Sequence, residues 1–233
     1  MPEPFLVDAD RFGRINHFTP AEHPEVTIRP EFMVEYLDGG ERLTLDGAEY
    51  DITEAGNLIH PDVEVIPTVK LGFGVRLGPD VVFRLTRDGR PDPDEEIVVG
   101  SRSRVEDTEV EDGVHIGAHN LILARFLGAS THIGSESKLR LGVQTEARTV
   151  IDGFMRRVTI KDAVKIAEYS IIGAGATIGF ASRLGADTVV SAGETVGPHS
   201  RIGMPKGTKY NPGNRGGMLV RNGNASAEHS VLE

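Results

Sequence analysis

The stretch that decides the fold runs from residue 160 to residue 203 and reads IKDAVKIAEYSIIGAGATIGFASRLGADTVVSAGETVGPHSRIG. Every sixth residue in it is aliphatic: Ile160, Ile166, Ile172, Ile178, Leu184, Val190, Val196 and Ile202. The residue directly after each aliphatic residue is usually small, and the residue four positions after the aliphatic one is often small or β-branched. Six residues form one short strand and a turn, so three units close a triangular coil of about 18 residues with an aliphatic axis. The period predicts a parallel β-helix.

The same register extends toward the N-terminus. An earlier block from Ile59 to Phe83 repeats the six-residue spacing, and a middle block from Val99 to Leu139 keeps the pattern with one-residue deletions before Val110 and Leu127. Each deletion shortens one side of a coil. The repeat therefore predicts a β-helix over residues 57 to 203, and a sandwich of short strands is disfavoured because it would show a period of two.

Two segments interrupt the period, and a third follows it. Residues 84 to 97 are rich in Pro, Gly and charge, which indicates an external loop. Residues 140 to 159 have no clean register and are compatible with either a distorted coil or a protruding arm. Residues 204 to 233 contain too much Gly and polar sequence to continue the helix, so we expect an irregular C-terminal tail.

Residues 1 to 56 form a different module. EFMVEYLDGG indicates a short helix that ends at Gly39, and ERLTLDGAEYDI indicates a hairpin around Asp46 and Gly47. We expect this module to cap the first coil. It is too short for a Rossmann-type nucleotide-binding domain.

Composition narrows the function classes. The chain has 25 Lys and Arg against 35 Asp and Glu, a net charge of −10, and no long basic run, which disfavours a nucleic-acid partner. It has no cysteine, so disulfides, thiolate metal ligands and a cysteine nucleophile are absent. The N-terminus lacks a signal-peptide pattern, and no apolar run approaches the roughly 20 residues of a membrane helix. We therefore expect a cytoplasmic protein without a membrane partner.

Two histidines share one register position. His115 precedes Ile116 and His132 precedes Ile133, so both precede an inward aliphatic residue and face outward. Their separation is one coil shortened by the deletion before Leu127, which predicts that the imidazoles stack on neighbouring coils. His119 follows in the corner near the same edge. The alternative is that these histidines are ordinary polar residues of a solvated or subunit-facing strand.

Units such as IGAGAT, Ile172 to Thr177, resemble the hexapeptide-repeat acyltransferase superfamily. The resemblance covers residues 57 to 203 and implies an all-β, left-handed parallel β-helix, here with a small N-terminal α/β cap and an irregular tail, that assembles as a homotrimer. It also implies transfer of an acyl group from a coenzyme A or carrier-protein thioester to an amine or hydroxyl of a small-molecule acceptor. In that family the active site lies between subunits, and a histidine commonly acts as general base.

Applied to this sequence, the resemblance makes His115, His132 and His119 the candidate catalytic residues. It implies that acyl-CoA is a co-substrate rather than a tightly bound cofactor, and that it lies in a groove between the C-terminal coils. The candidate donor-binding residues are the small residues of those coils and two lysines beyond the last coil: Gly173, Gly175, Ala176, Gly193, Lys206 and Lys209.

Two other functions stay open at this point. Gamma-class carbonic anhydrases share the fold and bind zinc with three histidines, and His115, His119 and His132 match that number although their spacing departs from that family's. A trimeric β-helix could also be a scaffold without catalysis. The metal content of the protein and its response to coenzyme A would separate the three functions.

Overall fold

The computed structural model confirms the predicted all-β fold class and the parallel β-helix. It describes residues 5 to 35, 37, 41 to 85, 96 to 145, 149 to 151, 154 to 203, 218 to 221 and 224 to 227. Within these ranges no helix is long and apolar enough to cross a membrane. The single helix described there is a 3-10 helix, Pro30–Glu35.

Three sheets form the sides of the coil. Sheet 1 contains, in spatial order, β27 (Arg201–Ile202), β24 (Arg183–Leu184), β21 (Lys165–Ile166), β16 (Lys138–Leu139), β13 (Leu121–Ile122), β10 (Arg104–Val105), β7 (Arg76–Leu77), β5 (Leu58–Ile59), β4 (Ala48–Ile52) and β3 (Arg42–Leu45). Sheet 2 contains β29 (Asn224–Ala227), β28 (Met218–Arg221), β25 (Thr188–Val190), β22 (Ile171–Ile172), β17 (Gln144–Thr145), β14 (Phe126–Leu127), β11 (Glu109–Glu111) and β8 (Val82–Arg84). Sheet 3 contains β26 (Thr195–Val196), β23 (Thr177–Ile178), β20 (Thr159–Ile160), β15 (His132–Ile133), β12 (His115–Ile116), β9 (Ile97–Val99) and β6 (Val69–Leu71).

The aliphatic residues of the repeat fill one continuous core. The inward residue of each two-residue strand is its second, and these residues are almost completely buried from β7 onward, whereas Ile59 of β5 at the N-terminal end is partly buried. Strands pair in parallel with the strand one coil away, inward residue beside inward residue. The short coil is present as predicted, because Leu127 of β14 follows Ile122 of β13 by five positions while both strands keep their register with neighbouring coils.

The corners between sheet 3 and sheet 1 have one recurring backbone conformation. The five corners from β12 onward place a non-glycine residue at a positive φ of 56° to 58°: His119, Glu136, Ala163, Ala181 and His199. Each donates its backbone N–H to a carbonyl of the preceding coil at 2.8 to 3.0 Å. Left-handed φ in these residues costs about 1 kcal/mol or more, which this recurring hydrogen bond helps to offset.

The N-terminal module has its own core and continues sheet 1. β1 (Phe5–Ala9) and β2 (Ile15–Pro20) form an antiparallel pair, and β3 and β4 form the predicted hairpin, with Asp46 and Gly47 both at positive φ. Such a two-residue loop matches the twist of the flanking strands. β4 pairs with β5 and so covers the N-terminal end of sheet 1. The predicted short helix is a 3-10 helix, Pro30–Glu35, rather than an α-helix, and its predicted end at Gly39 lies outside the described residues.

The second interruption is shorter than the sequence suggests. Residues 140 to 145 complete a regular coil through β17, and the antiparallel pair β18 (Thr149–Ile151) and β19 (Phe154–Arg156) then forms an arm before β20. The period is hidden here because Thr145, not an aliphatic residue, points inward. Its hydroxyl lies 2.9 Å from that of Thr131 and accepts from Gly128 N–H at 3.0 Å, which satisfies it in the core.

The structure describes the other two irregular segments, residues 84 to 97 and the C-terminal tail, only in part. Most of the excursion at residues 84 to 97 lies outside the described residues. The tail is not irregular throughout, since β28 pairs in parallel with β25 and β29 pairs antiparallel with β28. The C-terminal segment thereby adds two strands to sheet 2.

Neighbouring residues on β23 provide a test of the inward and outward assignment. Ile178 is fully buried in the core, and Thr177 faces outward. We expect Ile178→Ala to lower the free energy of unfolding by about 2–5 kcal/mol, because it leaves a cavity in a close-packed column. Thr177→Ala is expected to change it by less than about 1 kcal/mol. Urea unfolding at equal protein concentration measures both, and equal effects would contradict the register.

Candidate functional site

The two stacked histidines lie in a hollow on the outer surface of sheet 3. His115 pairs in register with His132, and the ring centroids are 4.6 Å apart with an interplanar angle of 24°. The hollow has a volume of about 470 Å³ and is lined by both imidazoles and by Val98, Thr159 and Asp162, among others. We call it the histidine cleft. The stack predicted from the shortened coil is therefore present in the structure.

The hydrogen bonds of His132 define its tautomer. Nδ1 lies 3.2 Å from the backbone carbonyl of Ser130, which can only accept, and Nε2 lies 3.0 Å from Nη1 of Arg157, which can only donate. These partners place the proton of a neutral ring on Nδ1 and leave the Nε2 lone pair directed at Arg157. His132 is thus held in one orientation by a partner on each side of its ring.

The surroundings favour the neutral form of His132. Burial lowers the pKa of its imidazole, the hydrogen bond to Ser130 opposes this, and the nearby His115 and Arg157 lower the pKa further. The net result is a pKa below the ordinary value of 6.5. A neutral imidazole can accept a proton at neutral pH once its lone pair is released from the hydrogen bond with Arg157.

Polar groups from the following coils complete the cleft. Thr159 pairs in register with His132 and places a third polar side chain in the same outer column. Lys161 and Asp162 lie at the corner after this strand, where an Asp162 carboxylate oxygen accepts the Ser135 N–H at 2.6 Å. The cleft therefore combines a neutral base, an arginine and hydroxyl and carboxylate groups on one rigid surface.

His119 does not join the histidine pair. It occupies the corner beyond β12, and its side chain lines a different hollow on sheet 1. Sequence position placed it near the same edge, but the positive φ of the corner turns the chain so that His119 lies on the other side. Within the ranges that the structure describes, no group of three His, Cys, Asp or Glu side chains could hold a metal ion. Within one chain, His119 therefore lies apart from His115 and His132.

The predicted donor-binding residues have separate structural roles. Ala176 is fully buried in the core, so its side chain cannot line an external groove. A Cβ at Gly173 would lie 2.5 Å from the backbone nitrogen of Ala192, so close packing of two coils requires glycine there. Gly175 and Gly193 occupy corners at positive φ. Lys206 and Lys209 lie outside the described residues.

Sequence reasoning missed two residues of the cleft. Arg157 belongs to the segment after the arm, and no period predicts where that segment returns to the coil. Thr159 directly precedes Ile160 and so obeys the rule that identified the histidines. Its position could have been found if the strand had been assigned to the same sheet, but the length of the preceding arm concealed that assignment.

No family model matches the chain. Among solved structures, the chain is similar to a hexapeptide-repeat-containing acetyltransferase from Vibrio cholerae, with 18% identity over 68% of this chain and 72% of that one and a TM-score of 0.34. It is also similar to a UDP-N-acetylglucosamine acyltransferase from Francisella novicida, with 13% identity, 73% and 67% coverage and a TM-score of 0.33.

A third similar structure is a histidine-to-alanine mutant of GDP-perosamine N-acetyltransferase from Caulobacter crescentus, in complex with CoA and GDP-perosamine. The identity is 20% over 74% of this chain, the TM-score is 0.29, and the chain spans 57% of that enzyme's length. The six-residue repeat and the three sheets of the structure itself establish what this chain is: a hexapeptide-repeat parallel β-helix protein.

Proposed function

We propose that the protein is a homotrimeric acyltransferase that moves an acyl group from a coenzyme A or carrier-protein thioester to an amine or hydroxyl of a small molecule. The observation that supports this most is His132, a neutral imidazole with a fixed tautomer and an Nε2 lone pair in an open cleft. Acyl transfer from a thioester needs a base of this kind and neither a metal nor an enzyme nucleophile.

The reaction balances with one proton transfer at His132. Nε2 takes the proton from the acceptor nitrogen or oxygen as that atom attacks the thioester carbonyl. The tetrahedral intermediate then collapses, the carbon–sulfur bond breaks, and the thiolate leaves and takes up the proton. The products are the acylated acceptor and the free thiol. His115 supports the face of the His132 ring at stacking distance.

Arg157 has two consecutive roles in this proposal. In the free protein its guanidinium donates to Nε2 at 3.0 Å and holds the ring in place. An acceptor that enters the cleft displaces this hydrogen bond, which leaves the guanidinium beside the carbonyl oxygen where negative charge develops. A fixed cation there stabilises the transition state more than the ground state.

The outer face of sheet 2 is the surface that supports the proposal of a trimer. Its outer column is mainly apolar, with Val82 and Ile171 exposed, and contains in order Val82, Glu109, Phe126, Gln144, Ile171 and Val189. In a closed ring of three, this mainly apolar column of one subunit would lie beside the histidine cleft of the next and complete an intersubunit site. The cytoplasm and the absence of nucleic-acid and membrane partners stay predictions from the sequence.

Replacement of His132 tests the proposed base. We expect His132→Gln to lower kcat/KM by about 10²–10⁴-fold, because glutamine keeps polar contacts but cannot accept the proton. Release of coenzyme A from acetyl-CoA, with amino sugars, amino acids and polyamines as trial acceptors, can be followed with a thiol reagent. The chain has no cysteine, so the reagent reports only coenzyme A.

His199 provides the matched control for this substitution. It lies at a corner outside the cleft, in edge contact with Phe180 at a centroid distance of 5.4 Å. His199→Gln is expected to retain the rate of the unmodified protein. If His132→Gln and His199→Gln gave the same rate, His132 would not be the base.

The pH dependence tests the role of Arg157. A general base must be neutral, so activity falls as pH drops through its pKa, and the lowered pKa of His132 keeps activity at pH values below the usual histidine range. Arg157→Leu removes one of the charges that lower this pKa. We therefore expect the acid limb and the NMR titration of His132 to move to higher pH. Lys161→Leu, in the same cleft, should leave the titration unchanged.

Sedimentation tests the trimer. We expect a mass about three times the 25.2 kDa of one chain. Ile171→Glu should dissociate the assembly, because it places a charge at an exposed apolar position of sheet 2. Leu6→Glu, at an exposed apolar position of β1, should not. A monomeric unmodified protein at micromolar concentration would contradict both the trimer and the intersubunit cleft.

A further inference from the structure

A second hollow lies on sheet 1, on the other side of the corner that bounds the histidine cleft. Its volume is about 570 Å³. Five cationic side chains line it: Arg11, Arg14, Lys138, Lys165 and Arg183. One acidic residue, Glu136, lines it with them. We call it the cationic groove, and its charge is opposite to the net charge of −10 on the chain.

Three of these cations form a column across neighbouring coils. Lys138 pairs in register with Lys165, and Lys165 pairs with Arg183. Like charges opposite one another on adjacent strands are destabilising. Burial and the charge of Lys165 lower the pKa of Lys138 to about 8, and burial and Arg183 lower the pKa of Lys165. The repulsion between these like charges therefore lowers the stability of the fold, which indicates that the column has a role other than structural support.

Two arginines earlier in the same column can be compared with these three cations. Arg76 and Arg104 occupy equivalent outer positions on β7 and β10, and both have acidic partners. Nη1 of Arg76 lies 2.7 Å from Oδ2 of Asp46, and Nη2 of Arg104 lies 2.6 Å from Oε2 of Glu106. By contrast, no acidic side chain in the described part of the chain forms an ion pair with Lys138, Lys165 or Arg183. Arginines with a structural role in this sheet are paired, whereas the three cations of the column, Lys138, Lys165 and Arg183, have no ion-pair partner among the described residues.

The opposite wall is a preorganised loop of the N-terminal module. The Asp10 carboxylate accepts from the backbone N–H of Phe12 at 2.8 Å and from Arg14 Nε at 2.7 Å. Arg104 donates to the Phe12 carbonyl at 2.8 Å. The Lys138 ammonium lies 3.0 Å from the centroid of the Phe12 ring, and Gly13 has a positive φ of 70° beneath the Arg104 guanidinium. These contacts fix Arg14 and Lys138 before any ligand arrives.

We propose that the cationic groove binds a small ligand that carries a diphosphate group. The column spans three strands, roughly 10 Å at the usual strand spacing, which is more than one phosphate can contact. Lysines bind phosphate as point charges, and arginines bind it as planar forks. The remaining volume, lined by the small side chains of Ala163 and Ala181, leaves room for an organic substituent. This site does not depend on acyl transfer.

Calorimetric titration of the full chain with inorganic pyrophosphate tests the groove directly. We expect binding that weakens as salt concentration rises. The double substitution Lys138→Met and Lys165→Met keeps the apolar stems and removes two charges, so the affinity should fall at least tenfold. Lys70→Met is the matched control, because Lys70 is an exposed lysine at an outer position of sheet 3.

Two results of this titration would overturn the proposal. One is equal affinity of the double variant and the unmodified protein, and the other is no detectable binding of pyrophosphate by the unmodified protein. Thermal melting without ligand checks the fold of the double variant, which should melt no lower because repulsion is relieved. Arg183→Gln is the second variant if the double variant does not fold, and it too should bind pyrophosphate more weakly.

Proton uptake supplies a readout that nonspecific surface attraction would not produce. Near pH 8, Lys138 is partly deprotonated in the free protein, and a bound anion favours its charged form. Pyrophosphate binding should therefore take up a fraction of a proton at pH 8, and the affinity should fall as pH rises above 8. Titrations in buffers of different ionisation heat measure this uptake, which Lys138→Met should abolish.

Competition identifies the source of the diphosphate. Displacement of pyrophosphate by coenzyme A but not by UDP or GDP would assign the groove to the acyl donor, and the reverse would assign it to a nucleotide-linked acceptor. Either result supports the proposal. Displacement by neither, or only by an oligonucleotide, would overturn it. An unmodified protein that transfers acyl groups but binds no pyrophosphate would leave the proposed function standing and reject the groove alone.

Discussion

In-register hydrogen bonding between coils is the constraint on which the rest of the structure depends. Each short strand pairs with the equivalent strand one coil away, so every outward side chain lies over another at the strand spacing of about 4.8 Å. Outward side chains of similar chemical type therefore line up in columns along each sheet. Sheet 3 has the histidine column, sheet 1 the cation column and sheet 2 a mainly apolar column, and each column is available to a different contact.

The columns explain how much of the fold and site the sequence could predict. The inward aliphatic residues, the shortened coil and the stack of His115 on His132 follow from counting along the period, because the relation between neighbouring coils is local. The hairpin at Asp46 and Gly47 is also local. The cation column obeys the same rule, since Lys138 and Lys165 each precede an inward aliphatic residue, but the arm between them hides the spacing.

Contacts between residues that are far apart in the sequence form the parts of the site that no period predicts. Arg157 reaches His132 from the segment after the arm, and Arg14 donates to the carbonyl of His119 from the N-terminal module. These contacts join residues whose separation along the chain reflects no repeat. Thr145 shows the converse limit, because a buried hydroxyl satisfied by Thr131 takes an aliphatic position and makes a regular coil look irregular.

The corner between sheet 3 and sheet 1 relates the two hollows. Asp162 lines the histidine cleft and the next residue, Ala163, lines the cationic groove, so one turn of backbone separates them. That turn is stiff, because Ala163 donates its N–H to the coil before it, as do the equivalent corner residues Glu136 and Ala181. A ligand whose diphosphate is anchored on sheet 1 would thus have its remaining atoms held at a fixed distance from His132, which is how a rigid scaffold converts binding into orientation.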